Sequence, residues 1–183
     1  VLFRDTIFFA EAGSVCPSAR LGINVTVNTT AMPTGTDGAR CGDGTVSLSA
    51  ASAAPITWYD SVFAGNLVGT GTTFITPVLT GNETFYAEAD AGCPIERIPV
   101  LAIVDSIPVA PVANDESRCA NGSITLTASS PSQVYWYDAP VGGNLLYTGS
   151  NFTTPVLTAN TNYYVEAGFD CRSLRDTVMA VIT

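Results

Sequence analysis

Few side chains in this chain could do chemistry. Histidine is absent, and all seven cationic residues are arginines. Neither the usual proton shuttle near neutral pH nor an amine base is available to activate a hydroxyl or a thiol. Serine, threonine and cysteine nucleophiles therefore have no conventional triad or dyad to join. The carboxylates offer more. Glu11, Glu88 and Glu166 recur in one local setting, Ala-Glu-Ala in the first two copies and Val-Glu-Ala in the last. A glycosidase needs two carboxylates about 5–10 Å apart, one of them with a raised pKa; a single glutamate repeated on an exposed strand face reads instead as the partner of a nearby arginine. Asp43 and the pair Asp115 and Glu116 suit calcium by charge, but no Asp-x-Asp-x-Asp loop surrounds them. The five cysteines include no Cys-x-x-Cys and have no histidine to complete a zinc set. The sequence thus assigns no catalytic residue, cofactor site or metal site, and the chain reads as a protein other than an enzyme.

Seven cationic residues stand against sixteen acidic ones, a net charge of −9 over 183 residues. Nucleic-acid affinity comes largely from cations that neutralise phosphates, so a nucleic-acid partner is not expected. Apolar residues make up 46% of the chain, ample for packed cores and inconsistent with disorder. The longest uninterrupted apolar stretch, Ile98 to Val104, falls far short of the roughly 20 residues needed to cross a bilayer as a helix. The complete lack of lysine fits life among extracellular proteases, a mild pointer to an outside location.

The elements that position these residues come from a repeat. A shift of 78 places superimposes Cys41 on Cys119, Trp58-Tyr59-Asp60 on Trp136-Tyr137-Asp138, Pro77-Val78-Leu79-Thr80 on Pro155-Val156-Leu157-Thr158, Cys93 on Cys171 and Arg97 on Arg175, without a gap. Of the 65 positions from 41 to 105, 27 are identical to their partners. A third, partial copy opens the chain: Phe8-Phe9-Ala10-Glu11-Ala12 aligns with Phe85-Tyr86-Ala87-Glu88-Ala89, Cys16 with Cys93 and Arg20 with Arg97. The expected organisation is the late half of one unit over 1–27 and complete units over 28–105 and 106–183. The chain reads as a fragment of something longer, so the lack of a signal peptide says nothing about location.

Within a unit the apolar pattern has period two, and turn residues recur about every 8–12 positions, the pattern of short antiparallel strands. Strands are expected at 45–50, 56–60, 67–70, 74–77, 84–89 and 98–104, with turns around Ala64-Gly65-Asn66 and, in the second unit, at Gly142-Gly143. Alternation turns Trp58 and Phe85 to the core and Glu88 to water. Tyr59 and Tyr86 then share the outer face, as do Tyr135, Tyr137 and Tyr164. Such tyrosines form either a stacking platform for sugar rings or cross-strand pairs that stabilise the sheet. Segments 28–40 and 106–118, with Pro33, Pro108 and Pro111, read as linkers. They would hold neighbouring units end to end in a rod whose repeats meet mainly their neighbours.

A cysteine before the second strand, a tryptophan on the third, and a leucine followed by an aromatic pair leading to a second cysteine resemble the immunoglobulin plan with its tyrosine corner. Phe8 and Phe85 stand where Tyr163 stands, so only the last unit has a corner hydroxyl, and both first cysteines lie ahead of the strand instead of within it. More narrowly, Cys-Gly-x-Gly-Thr-Val, Trp-Tyr-Asp-x4-Gly-Asn-Leu and Thr-Gly-x-x-Phe-x-Thr-Pro-Val-Leu resemble the Ig-like repeats of very large secreted Bacteroidetes surface proteins, many of them exported by type IX secretion. That resemblance implies an all-β tandem of immunoglobulin-like sandwiches. It also implies disulfides Cys41–Cys93 and Cys119–Cys171, with Cys16 left unpaired, in an oxidising compartment. Asp-(Ser/Thr)-aliphatic triplets resembling Bacteroidetes O-glycosylation sites mark Thr6, Ser61, Ser106 and Thr177. Asn-x-Ser/Thr matches at Asn24, Asn28 and Asn82 are common in so Thr-rich a chain and assign no site.

The expected role is a non-catalytic stalk or fibre module of an extracellular adhesin or filament. Its partners would be neighbouring repeats, identical chains in a fibre, or glycans. The alternatives are a carbohydrate-binding or accessory module of a secreted enzyme, and a filament subunit completed by strands from another chain.

Overall fold

The computed structural model describes residues 6–13, 15–26, 31–90 and 96–183. Among them every regular element is a strand, as period-two patterning and scattered Gly and Pro require. No helix among the described residues is long and apolar enough to cross a membrane.

The first two strands, β1 (Thr6–Ala10) and β2 (Leu21–Val25), form an antiparallel hairpin with Ala10 opposite Leu21 and Phe8 opposite Ile23. Eight strands follow: β3 (Thr34–Thr36), β4 (Gly38–Cys41), β5 (Ser47–Ala51), β6 (Ile56–Tyr59), β7 (Leu67–Thr70), β8 (Thr73–Ile75), β9 (Glu83–Ala89) and β10 (Ile98–Asp105). They build a three-stranded sheet in the order β3-β5-β8 and a five-stranded sheet in the order β4-β10-β9-β6-β7. The next eight are β11 (Val112–Ala113), β12 (Glu116–Arg118), β13 (Thr125–Ser129), β14 (Val134–Tyr137), β15 (Leu145–Thr148), β16 (Asn151–Thr153), β17 (Thr161–Ala167) and β18 (Asp176–Ile182). They repeat the pattern strand for strand, β11-β13-β16 and β12-β18-β17-β14-β15.

Each repeat buries the residues that alternation turns inward. Leu48, Trp58, Phe85 and Val100 in one copy, and Leu126, Trp136, Tyr163, Val165 and Val178 in the other, are almost fully removed from solvent. Each such side chain stabilises its copy by roughly 1.5–3 kcal/mol relative to exposure. The tryptophan indole N–H, which burial would otherwise leave unpaired, donates to a turn carbonyl: Trp58 to Gly71 O at 2.8 Å and Trp136 to Gly149 O at 2.9 Å. Phe85 packs edge-on to Phe74 with ring centroids 5.1 Å apart, and Tyr163 does the same on Phe152 at 5.1 Å. The corner position is therefore used for its ring in both copies.

The β1–β2 hairpin has the register of β9–β10, in which Ala87 faces Ile98 and Phe85 faces Val100. Where Phe85 and Val100 are buried, their equivalents Phe8 and Ile23 are each 48% exposed.

The segments expected to be linkers are strands. Residues 34–41 supply β3 and β4, and 112–118 supply β11 and β12. These edge strands are two to four residues long, too short and too exposed to show an apolar alternation. An aspartate turns the chain from one sheet to the other: the Asp37 carboxylate accepts the Leu101 N–H at 2.7 Å, and Asp115 accepts that of Met179 at 2.8 Å. Asp115, a calcium candidate by sequence, is thus engaged with the backbone. Among the described residues no group of three or more potential ligands converges on a metal position.

By its contacts the chain divides into two compact units, 1–38 with 47–76 and 83–102, and 39–46 with 77–82 and 103–183.

Candidate functional site

The residues that recur in sequence meet in space as one framework cluster in each copy. Register places Tyr59 opposite Tyr86 and Thr57 opposite Glu88 on β6 and β9, and Tyr137 opposite Tyr164 and Tyr135 opposite Glu166 on β14 and β17. The tyrosine pairs expected from alternation are therefore true cross-strand neighbours.

The glutamates are paired with arginines in all three copies: Glu11 with Arg20 at 2.8 Å, Glu88 with Arg97 at 2.9 Å and Glu166 with Arg175 at 2.9 Å. The same guanidinium that grips Glu88 lies 3.3 Å above the Tyr59 ring, and that of Arg175 lies 3.5 Å above Tyr137. Its remaining N–H groups reach loop carbonyls, Ser61 O at 2.7 Å for Arg97, and Ala139 O and Gly142 O at 2.6 and 2.7 Å for Arg175. Arginine suits this place because its planar fork can bond a carboxylate and carbonyls while stacking on an aromatic face. A third arginine, Arg172, lies 3.5 Å over Tyr135 and 3.7 Å from Glu166. One face of each of Tyr59, Tyr135 and Tyr137 is thus taken by a cation and is not open to a sugar ring. Burial and the adjoining Glu166 raise the Tyr137 phenol above its usual pKa, and burial alone raises Tyr163.

The Trp-Tyr-Asp-x4-Gly-Asn motif is explained by the turn after β6 and β14. Asp60 accepts the Asn66 backbone N–H at 2.7 Å and its side-chain amide at 2.8 Å; Asp138 and Asn144 make the same two bonds at the same distances. These bonds, the side-chain one foremost, hold both carboxyls below the usual range. A Cβ at Gly65 would come within 2.6 Å of the Asp60 carboxylate, and one at Gly143 would collide with Asp138, so glycine is required there.

The cysteines depart from the expected pairing. Cys41 is bonded to Cys171, with Cα atoms 5.5 Å apart and a sequence separation of 130; both lie in the second compact unit. Cys119 is an exposed free thiol, as is Cys16, and Cys93 lies outside the described residues. Strand geometry explains the correction. Cys119 adjoins the end of β18: Ala120 N–H donates to Thr183 O at 2.9 Å, and the Thr183 hydroxyl reaches the Cys119 sulfur at 3.8 Å. Cys171 sits before β18 begins, in the loop closed by the Gly168–Arg172 bridge. Seven residues of strand span roughly 23 Å, whereas a disulfide needs Cα atoms within about 7 Å. The bond Cys119–Cys171 is therefore precluded. Cys41 has the same setting as Cys119, with Gly42 N–H donating to Asp105 O at 2.8 Å at the end of β10.

The candidate modification residues are scattered. Ser106 and Thr177 are exposed, and Thr6 and Ser61 are half-buried, the Ser61 hydroxyl donating to Phe63 O at 3.1 Å.

Paired three- and five-stranded sheets, a buried tryptophan on a central strand and an edge strand running parallel to the last strand in the second copy define a tandem of immunoglobulin-like β-sandwich domains. The chain belongs to the family of Ig-like domains described as CHU_C associated, whose sequence profile matches residues 30–105 and again 108–183. No curated protein matches it. Among solved structures, the fold is similar to the fibronectin(III)-like modules of Clostridium thermocellum CbhA, at 18% identity and a TM-score of 0.54, covering 83% of this chain and 94% of that one. The extracellular domains 3–5 of Drosophila OTK align at 14% identity and a TM-score of 0.47, covering 92% of this chain and 68% of that one.

Proposed function

We propose that this chain is a stalk or fibre segment of a large extracellular surface protein of the adhesin or filament kind, one that carries load and sets reach without catalysis. The observation that supports the reading is what the recurring residues do. Every Glu, Arg, Asp and Trp repeated between copies is engaged inside its own copy, in ion pairs, turn bonds and indole bonds. A side chain that must hold a fold recurs with the fold, whereas a binding residue is held free for its ligand. A disulfide supports an oxidising, extracellular setting. The sequence motifs favour secretion of the type IX kind in Bacteroidetes, with glycans on Thr6, Ser61, Ser106 and Thr177. The hairpin Thr6–Ala10 with Leu21–Val25 has the register of the last hairpin of a complete copy, which favours a third copy of the same repeat.

A glycan array probed with the full chain tests the reading. A structural module gives no saturable binding to any sugar. Saturable binding that disappears in Tyr137→Ala would overturn it in favour of a carbohydrate-binding module. The glycosylation sites are checked by mass spectrometry of native material, where hexose-containing additions are expected on those four hydroxyls, and their absence ends that part of the account.

A further inference from the structure

Cys41–Cys171 joins the first cysteine of one copy of the repeat to the second cysteine of the next copy. The structure gives each half of this bond a reusable address. The first-cysteine address lies at the strand end where its copy finishes. Gly42 donates to Asp105 O beside Cys41, and Ala120 donates to Thr183 O beside Cys119, 78 positions further on in both partners. The second-cysteine address is a loop closed by a serine. Ala167 N–H donates to Ser173 Oγ at 2.9 Å and Ser173 N–H returns to Ala167 O at 2.8 Å around Cys171. Around Cys16, Ala12 N–H donates to Ser18 Oγ at 3.0 Å and Ser18 N–H returns to Ala12 O at 2.7 Å. Cys119 and Cys16 are therefore the images of a bonded donor and a bonded acceptor, and both are exposed free thiols.

We infer that the repeat carries a relay of disulfides that links copy to copy. Cys119 bonds the second cysteine of a further copy of the repeat that follows it, and Cys16, as a second cysteine, bonds the first cysteine of a copy that precedes its own. A within-copy bond would leave tension between copies to the single peptide strand joining them. A relay adds a second covalent path across every junction, so that extension stops at the staple. The inference goes beyond the stalk reading and stands on the disulfide alone.

Closure needs an oxidant, supplied by a small-molecule disulfide such as oxidised glutathione. The Cys119 thiolate attacks one of its sulfurs and expels one glutathione thiolate. The partner cysteine's thiolate then attacks the Cys119 sulfur of the mixed disulfide and expels the second. One S–S bond is broken and one is formed; the two protons lost by the cysteines end on two glutathione thiols.

The test is disulfide mapping by mass spectrometry on two proteins, refolded with oxidised glutathione and quenched in acid. In the 183-residue chain the relay predicts a Cys41–Cys171 cross-linked peptide, with Cys119 alkylated by iodoacetamide. In the same chain extended by one more copy of residues 106–183, Cys119 becomes bonded to the second cysteine of the added copy and loses its reactivity to iodoacetamide, while Cys41–Cys171 persists. A Cys41–Cys93 or Cys119–Cys171 peptide in either protein overturns the inference. So does a Cys119 that stays alkylatable in the extended chain when the added copy's tryptophan has become buried, as read by fluorescence. Should the added copy fail to fold, the map of the 183-residue chain still decides between relay and within-copy pairing.

Discussion

Each copy is held by a small number of polar side chains whose loss has a calculable cost. The Glu166–Arg175 pair is nearly buried, with side chains 11% and 13% exposed, whereas Glu11–Arg20 is 39% and 70% exposed. Removing one partner of a buried pair leaves an uncompensated charge and costs about 3 kcal/mol; an exposed pair contributes about 0.5 kcal/mol. Arg175→Met should therefore lower the urea midpoint of its domain severely, Arg97→Met nearly as much, and Arg20→Met hardly at all. Equal effects in all three would refute the burial argument.

The turn aspartates set an acid limit. Their folded pKa values are depressed, so their stabilisation is complete above the usual 3.8 and is lost as pH falls through the lower folded values. Tyr137 and Tyr163 act at the other end. Their raised values stabilise the fold fully below the usual 10.0 and fail as pH rises beyond it. Denaturation midpoints measured from pH 2 to 5 should fall less steeply in Asn66→Ala with Asn144→Ala, because those variants lose the side-chain bond, the larger of the two that depress each carboxyl, and keep the backbone one. At this scale the Glu–Arg pairs were legible, since a recurring glutamate with an arginine nine residues on suggests a partner. The stacking of those arginines on tyrosines was not, because it depends on β6 and β14 lying beside β9 and β17, a placement that sequence spacing does not contain.

The interior strands could be read from period two because one face of each is buried. Ile56–Tyr59 and Glu83–Ala89 fall within a residue or so of their expected places, and so does the exposed edge strand Leu67–Thr70, which is set off by turns. The edge strands β3, β4, β11 and β12 escaped because glycine, proline and exposed polar residues hide a strand of two to four residues inside what reads as a linker. Their ends depend on one backbone position. Gly42 has φ +70° and its counterpart Ala120 has φ +65°, a left-handed conformation that costs an L-residue about 1–2 kcal/mol. Ala120→Gly should then stabilise the second repeat by about 0.5 kcal/mol once the greater freedom of the unfolded glycine is subtracted. Gly42→Ala should destabilise its domain by at least about 1 kcal/mol, its new Cβ also lying 2.9 Å from Ile107. Thermal melts of the two variants should shift in opposite directions, and a shared direction would contradict the paired geometry.

At the scale of the whole molecule the tandem of two sandwiches was legible from the 78-residue shift, and the covalent connection was not. Cysteine spacing alone admits within-copy and between-copy pairing equally. What decides is that the first cysteine lies beside the end of the last strand and the second before its beginning, as their places ahead of the second strand and ahead of the last strand imply only once β12 is known to run parallel to β18. Closing a loop of 130 residues stabilises by about 5 kcal/mol in the chain-entropy model, against about 4 kcal/mol for a 52-residue loop.

The central claim is that these repeats bear tension through a staple that crosses from one copy to the next, and single-molecule stretching of the chain by its two ends tests it most directly. With the disulfide intact, the residues between Cys41 and Cys171 stay out of the extension. Adding a reductant should release about 450 Å of further contour length, 130 residues at roughly 3.5 Å each. Two separate releases of about 180 Å each, the signature of a bond inside each copy, would contradict the account.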